Sequence, residues 1–250
     1  MTETGFAGGH AALRVHDMAP STLMSLLSPA DLAALTYLVA AWWITGRLIE
    51  HPPAGHPSVA ILMNDYRRAW MREMVTRQPR IFDASIMDNL RTGTSFFASA
   101  CLIAIGGGVA LIGNVDRLAS IAGAVTHEPR PELFWELKIL AVIVFVTNGL
   151  LNFVWAHRLF AYCAIVMAAV PNDITDPAAQ PRAAQASDIS ISAAKNFNRG
   201  LRAVYFALGT LGWLAGPMAL VATTTVAMAA ILRREFWSSS RNVLMRDTPK

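Results

Sequence analysis

The stretch from Asn64 to Ile112 limits the possible folds of this chain more than any other. Its first part, up to Arg77, places Trp and Met at helical spacing with arginines between them, a pattern typical of an amphipathic helix. From Gly93 to Ile112 the sequence is apolar and uncharged for about 20 residues, which is enough to cross the ~30 Å hydrocarbon core of a bilayer. We therefore predict a cytoplasmic, basic amphipathic helix that leads into a membrane span.

The composition of the chain supports a membrane protein. Of its 250 residues, 54% are hydrophobic and only 15% are charged, which is too apolar for an ordinary soluble domain. We predict an all-α fold, a polytopic helical membrane bundle that forms one domain (28–240) between an N-terminal tail (1–27) and a C-terminal tail (241–250). Three full spans and a broken fourth segment are predicted at about residues 31–49, 93–112, 137–158 and 203–232.

The fourth segment contains Gly216 followed by Pro217, which interrupt a helix, so it forms either one kinked helix or a helical hairpin. Most Lys and Arg residues lie between the first two spans, between the third and fourth, or after the fourth, and basic segments stay in the cytoplasm. A hairpin returns the C-terminus to that side and is favoured, although arms of about 14 residues are short for a crossing. The predicted orientation in a bacterial inner membrane has the N-terminus outside and the C-terminus in the cytoplasm.

Two groups of polar residues are the candidate functional positions. Asn148 and Asn152 lie one helical turn apart inside the third span, where they either hydrogen-bond to neighbouring helices or line a small polar cavity. The second group is predicted at the cytoplasmic membrane face, where the spacing of Arg80 and Asp83 allows an ion pair on one helix. We predict that this polar cluster consists of Arg80, Asp83, Asn89, Arg158, Asn198 and Arg199.

The sequence carries no recognisable catalytic or cofactor motif, so neither a cofactor nor a metal is expected. No Cys or carboxylate completes a ligand set with His51 and His56, and Cys101 and Cys163 lie in apolar segments as small buried residues. The net charge of +4 is interpreted as arginines that face anionic lipid headgroups rather than nucleic acid.

Several segments together resemble a known family. They are MNDYRRAWMREMVTRQPRIFDASIMDNLRTGTSFFASACLIAIGG, ELFWELKILAVIVFVTNGLLNFVWAHRLFAYC, AAKNFNRGLRAVYFALGTLGWLAGP and LRREFWSSS. Over about residues 31–240 the chain resembles uncharacterised membrane proteins of proteobacteria and plants, which are catalogued as a domain of unknown function. The resemblance implies no activity, and the long N-terminal tail departs from it. By this resemblance, the motif positions are Asn64, Arg80, Asp83, Asn89, Phe96, Phe97, Glu136, Lys138, Arg158, Asn198, Arg199, Gly200 and Tyr205.

These observations favour a non-catalytic accessory or scaffold subunit of a larger membrane assembly. Its expected partners are the anionic lipid bilayer and either other membrane subunits or further copies of the chain. The alternative is a small-solute or ion transporter or channel, because the two Asn residues and the broken last segment are features that such proteins use. An enzyme that acts on lipid at the inner interface, with Asp83 or Asp88 as base, is a third and less favoured interpretation.

Overall fold

The computed structural model of the chain describes residues 27–116 and 131–246. Most of the predicted N-terminal tail, the loop that holds Arg117 and Arg130, and the last four residues lie outside the described residues. The described part is helical and contains no strand. Its helices are α1 (Pro29–Glu50), α2 (Val59–Met74), α3 (Ile81–Ile112), α4 (Glu132–Ala168), α5 (Ala179–Thr210), α6 (Pro217–Phe236) and α7 (Ser239–Leu244).

Three of the described helices, α1, α3 and α4, are long and apolar enough to cross a membrane, and they contain the first three predicted spans. The prediction of an all-helical fold with three helices able to span a membrane is therefore confirmed. Helix α3 has 32 residues and α4 has 37, which corresponds to about 48 and 55 Å at 1.5 Å per residue. Both helices therefore extend well beyond a ~30 Å hydrocarbon core.

Helix α4 packs antiparallel against α3 on one side and α5 on the other. Its contact with α5 is close because two glycines face each other. A Cβ atom at Gly149 would lie 3.4 Å from the carbonyl oxygen of Gly200, and one at Gly200 would lie 2.7 Å from the ring of Phe153. Phe153 is fully buried there and stacks on Phe97 of α3, with ring centroids 5.3 Å apart. Small residues therefore set the spacing of the bundle, as is common in membrane helices.

A second hydrophobic core lies at the basic end of the molecule, within a group of helix segments that we call the basic bundle. Met71 and Met74 of α2 are fully buried with Phe160 and Cys163 of α4 and Ala186 of α5. The amphipathic helix predicted between the first two spans is therefore part of a helical bundle. The protruding ends of α3 and α4 and the first half of α5 form the rest of this bundle.

The chain reverses direction between α5 and α6. A 3₁₀ turn, Leu211–Ala215, follows α5, and Gly216 then adopts a φ of +117°, which favours glycine. The two helices lie side by side, because the hydroxyl of Thr223 donates to the carbonyl oxygen of Gly209 at 2.6 Å. The expected arm length of about 14 residues is wrong, since α6 alone has 20 residues, or about 30 Å.

The start of α1 is fixed at the opposite end of the bundle. Ser28 and Asp31 cap each other reciprocally, as the Ser-Pro-Ala-Asp sequence favours. The Asp31 carboxylate is 3% exposed and accepts a hydrogen bond of 2.8 Å from the indole N–H of Trp213. The ammonium group of Lys138 of α4, also buried, lies 5.8 Å from the centroid of the Trp213 ring. These contacts join α1, α4 and the 3₁₀ turn at the end of the molecule that is remote from the basic bundle.

The first residues of the predicted C-terminal tail pack against the rest of the chain. Helix α7 spans residues 239–244, and the guanidinium of Arg241 donates to the carbonyl oxygen of Pro57 at 2.9 Å. Residues just after 240 are therefore docked on the loop that precedes α2, and the remaining residues from 247 onwards lie outside the described part.

Candidate functional site

A cavity of about 380 Å³ opens between α1, α4 and α5 at the basic end of the membrane bundle. We call it the Glu50 pocket. It is the site at which the polar residues of three helices meet, and it extends from the level of Trp42 to the end of α1. Its lining residues are Trp42, Trp43, Gly46, Arg47, Glu50, His51, Asn148, Asn152, Arg199 and Arg202.

Glu50 accepts contacts from three cations of α5. Arg199 binds it in a bidentate manner, with Nε 2.8 Å from Oε1 and Nη2 2.6 Å from Oε2. Arg202 donates to Oε1 at 2.5 Å, and the ammonium of Lys195 lies 3.2 Å from Oε2. The three cations share one face of α5 because they are spaced by four and three residues. One carboxylate therefore contacts three positive charges, and Glu235 of α6, which lines an adjacent cavity with Arg202, is a second acidic neighbour.

The three cations differ in their exposure to solvent, and Arg202 is the buried one. Arg202 is only 8% exposed, whereas Lys195 and Arg199 reach solvent. A buried guanidinium is costly without an anionic partner, so Glu50 is a structural partner for Arg202. The carboxylate holds the end of α1 against the middle of α5.

Asn148 and Asn152 line the same pocket from α4. The amide of Asn152 donates to the backbone carbonyl of Asn148 at 2.8 Å and to its side-chain oxygen at 3.2 Å. Of the two roles left open by the sequence, their position corresponds to lining a polar cavity. They lie on α4 beside Gly149, at the level where Gly200 and Arg199 of α5 approach.

The six residues predicted as one polar cluster occupy several places. Arg199 lies in the Glu50 pocket, and Asn198 lines an adjacent cavity of about 350 Å³ together with Asn64. Asn89 and Arg158 are exposed. One reason is axial distance: α3 begins about 12 residues before its predicted span, so its first turn lies roughly 18 Å from the start of that span.

Arg80 and Asp83 do not pair with each other, contrary to the prediction. Arg80 instead donates to the carbonyl oxygens of Val170 and Pro171, at 2.7 and 2.8 Å, and so attaches the start of α3 to the end of α4. Asp83 is fully buried and accepts hydrogen bonds from the indole of Trp70 at 2.7 Å and from Arg77 at 2.6 Å. These contacts explain both residues as structural links in the basic bundle.

Sequence analysis missed Glu50 as a site residue. The signal was present, because Glu50 is the first acidic residue after Asp31 and ends an apolar span that faces the basic stripe of α5. Pairing the two required knowledge that α1 lies beside α5, which hydropathy does not give. Within residues 27–116 and 131–246, no group of three or more His, Cys, Asp or Glu side chains is placed to hold a metal ion.

Comparison with known proteins gives a family without a described activity. The model of the family described as "Protein of unknown function, DUF599" matches residues 33–240, which is most of the chain. No curated protein and no solved structure matches the chain significantly. The chain belongs to the DUF599 family, in agreement with the resemblance seen in its sequence.

Proposed function

We propose that this DUF599 protein is a non-catalytic accessory or scaffold subunit of a bacterial inner-membrane assembly, and that α3 supplies its contact surface. The observation that carries the proposal is the exposure of α3. In its most apolar stretch only 6% of the residues are buried, against 28% for α1 and 22% for α4. A helix that packs so little inside its own bundle has a large surface available for another helix.

The exposed surface of α3 includes a strip of small residues. Ala100, Ala104 and Gly107 follow each other at helical spacing along an apolar groove of about 750 Å³ between α3, α4 and α5. A Cβ atom at Gly106 or Gly107 would meet nothing within 4 Å. Small residues allow two membrane helices to approach closely, which is the main source of their association in lipid. The groove therefore supports an occupant with a helical backbone.

The membrane topology is part of the same proposal. The Glu50 pocket, α2 and the end of α6 bring the basic residues to one end of the bundle, which supports a cytoplasmic location for that end. Helix α6 is long enough to cross the membrane. The end of α5 and its 3₁₀ turn run beside α6, and we count them as a further crossing. We infer five crossings, with the N-terminus outside and the C-terminus in the cytoplasm.

Transport of a small solute or ion is the weaker proposal. The Glu50 pocket, with Asn148 and Asn152, is the feature that favours it. Along α1 the pocket extends only from Trp42 to Glu50, about 12 Å. The other end of the bundle is filled by buried side chains, among them Asp31 and Trp213. This arrangement supports binding at one membrane face more than passage through a single copy.

The contact surface can be tested by photo-crosslinking in native membranes. A photoreactive phenylalanine analogue at Ile103 of α3, 76% exposed, is expected to yield a discrete product of higher protein mass. The matched control is the same analogue at Val226 of α6, 68% exposed, which is expected to give no such product. A crosslink to a second copy indicates self-association, and one to another protein indicates a larger assembly. Equal crosslinking at both positions, or none at either, would contradict the proposal.

A further inference from the structure

Independently of the accessory role, we propose that the Glu50 pocket is a binding site for a phosphate-bearing anion, recognised mainly by Arg47 and Arg199. The Glu50 carboxylate organises the site without neutralising it. Three cations of α5 surround this carboxylate, and Arg47 adds a further positive charge to the lining. Even with Glu235 of α6 near Arg202, the cations outnumber the carboxylates. Uncompensated positive charge near a low-dielectric bilayer is a strong reason for an anion to bind.

Arg47 is the cation best placed to bind a ligand. It lies one turn before Glu50 on α1, it is exposed, and its side chain makes no hydrogen bond or ion pair with another residue in the described part of the chain. Arg199 already uses Nε and Nη2 on Glu50, which fixes the plane of its guanidinium at the pocket wall. A fixed guanidinium loses little conformational entropy when a ligand binds.

The remaining lining favours phosphate over a simple carboxylate. Asn148 and Asn152 offer neutral amide groups on the wall formed by α4. A phosphate group has more acceptor oxygens than a carboxylate, so it can accept from the cations of α1 and α5 and from an amide of α4 at once. Trp42 and Trp43 form an apolar wall, and Trp42 is held edge-on to Phe145 with ring centroids 5.7 Å apart. Indole rings at this depth contact glycerol or acyl groups, so a phosphate that belongs to a lipid would also pack against this wall.

Two sources offer this chemistry, the headgroup of an anionic phospholipid and free phosphate. The test uses the purified full chain in maltoside micelles, which contain no phosphate. Three probes are added separately: phosphatidylglycerol, the zwitterionic phosphatidylcholine, and inorganic phosphate. Native mass spectrometry counts bound lipid, and the shift of the thermal unfolding midpoint reports binding of either lipid or phosphate. We expect saturable binding of one or two phosphatidylglycerol molecules, or a saturable rise of the midpoint with phosphate.

The decisive variant is Arg47→Gln, because Arg47 is exposed and does not contact Glu50, so the fold is expected to persist. Its affinity for the bound probe should fall roughly tenfold, the effect of losing one charge-assisted hydrogen bond. Arg158→Gln is the matched control, since Arg158 is also exposed and lies near the same end of the bundle but outside the pocket. Its affinity should equal that of the wild type.

Each result has a defined meaning. Arg47-dependent binding of phosphatidylglycerol alone supports a lipid ligand, and Arg47-dependent binding of phosphate supports a soluble one. Equal loss in both variants would show diffuse attraction to surface charge and would overturn the proposal. Equal binding of phosphatidylcholine, or binding of no probe, would overturn it as well. The photo-crosslinking of α3 does not involve Arg47, so the accessory role and this site can fail separately.

Discussion

Replacing Asp83 by alanine is expected to lower the free energy of unfolding by about 3 kcal/mol, the loss typical of a buried charge partner removed from its donors. The carboxylate is fully buried between α2 and α3. Its removal leaves the indole N–H of Trp70 and the guanidinium of Arg77 without the acceptor they now share. Arg77 is partly exposed and regains water, which keeps the loss below that of a fully buried pair. Thermal unfolding in detergent, followed by circular dichroism, measures the change.

Asp65 provides the matched control for Asp83. It also pairs with an arginine, Arg68, at 3.0 Å, but both side chains are at least half exposed. Exposed pairs of this kind contribute about 0–1 kcal/mol, so Asp65→Ala should leave the unfolding midpoint almost unchanged. If Asp83→Ala is as stable as Asp65→Ala, the basic bundle is not held together as described.

The second large effect is expected for Gly212→Ala, which should destabilise the protein by about 2 kcal/mol through overpacking. Gly212 lies in the 3₁₀ turn between α5 and α6. A Cβ atom there would lie 2.8 Å from the backbone carbonyl oxygen of Ala219 and would also clash with the side chain of Thr223. The carbonyl group of Ala219 belongs to the backbone and cannot rotate away from the new Cβ atom as a side chain could. Helix α6 must therefore move away from α5, and the hydrogen bond of Thr223 to Gly209 is lost.

The same substitution at Gly93 is the control. A Cβ atom at Gly93 would meet nothing within 4 Å, and alanine is favoured over glycine in a helix by up to about 1 kcal/mol. Gly93→Ala should therefore leave the unfolding midpoint unchanged or raise it slightly. If Gly212→Ala behaves in the same way as Gly93→Ala, α5 and α6 are not in close contact at the turn.

Hydropathy and helix-breaking residues predicted much of this fold. The first three spans lie within α1, α3 and α4 because uncharged runs of that length have few other stable environments. The reversal occurs at Gly216 because Pro217 cannot continue the preceding helix and glycine tolerates the positive φ. Both signals are local, so neither requires knowledge of which helices are neighbours.

The polar contacts could not be predicted in the same way. Glu50 and Arg199 are 149 positions apart, and Arg80 and Val170 are 90 apart. Their pairing depends on the order of helices around the bundle, which one sequence does not reveal. The length of α3 was a second obstacle. Its first turns carry charge and were expected to approach the bilayer, whereas they continue as the same helix into the basic bundle.

Both proposals assume that the chain crosses a membrane with its basic end in the cytoplasm. Labelling of single cysteines by a membrane-impermeant maleimide tests it, with a low background because both native cysteines are buried. With this orientation, we expect Asn114→Cys, which is exposed after α3, to be labelled on intact cells. Ala54→Cys, exposed between α1 and α2, should be labelled only after the membrane is opened. Labelling of Ala54→Cys on intact cells, with Asn114→Cys protected, would contradict the orientation with the basic end in the cytoplasm.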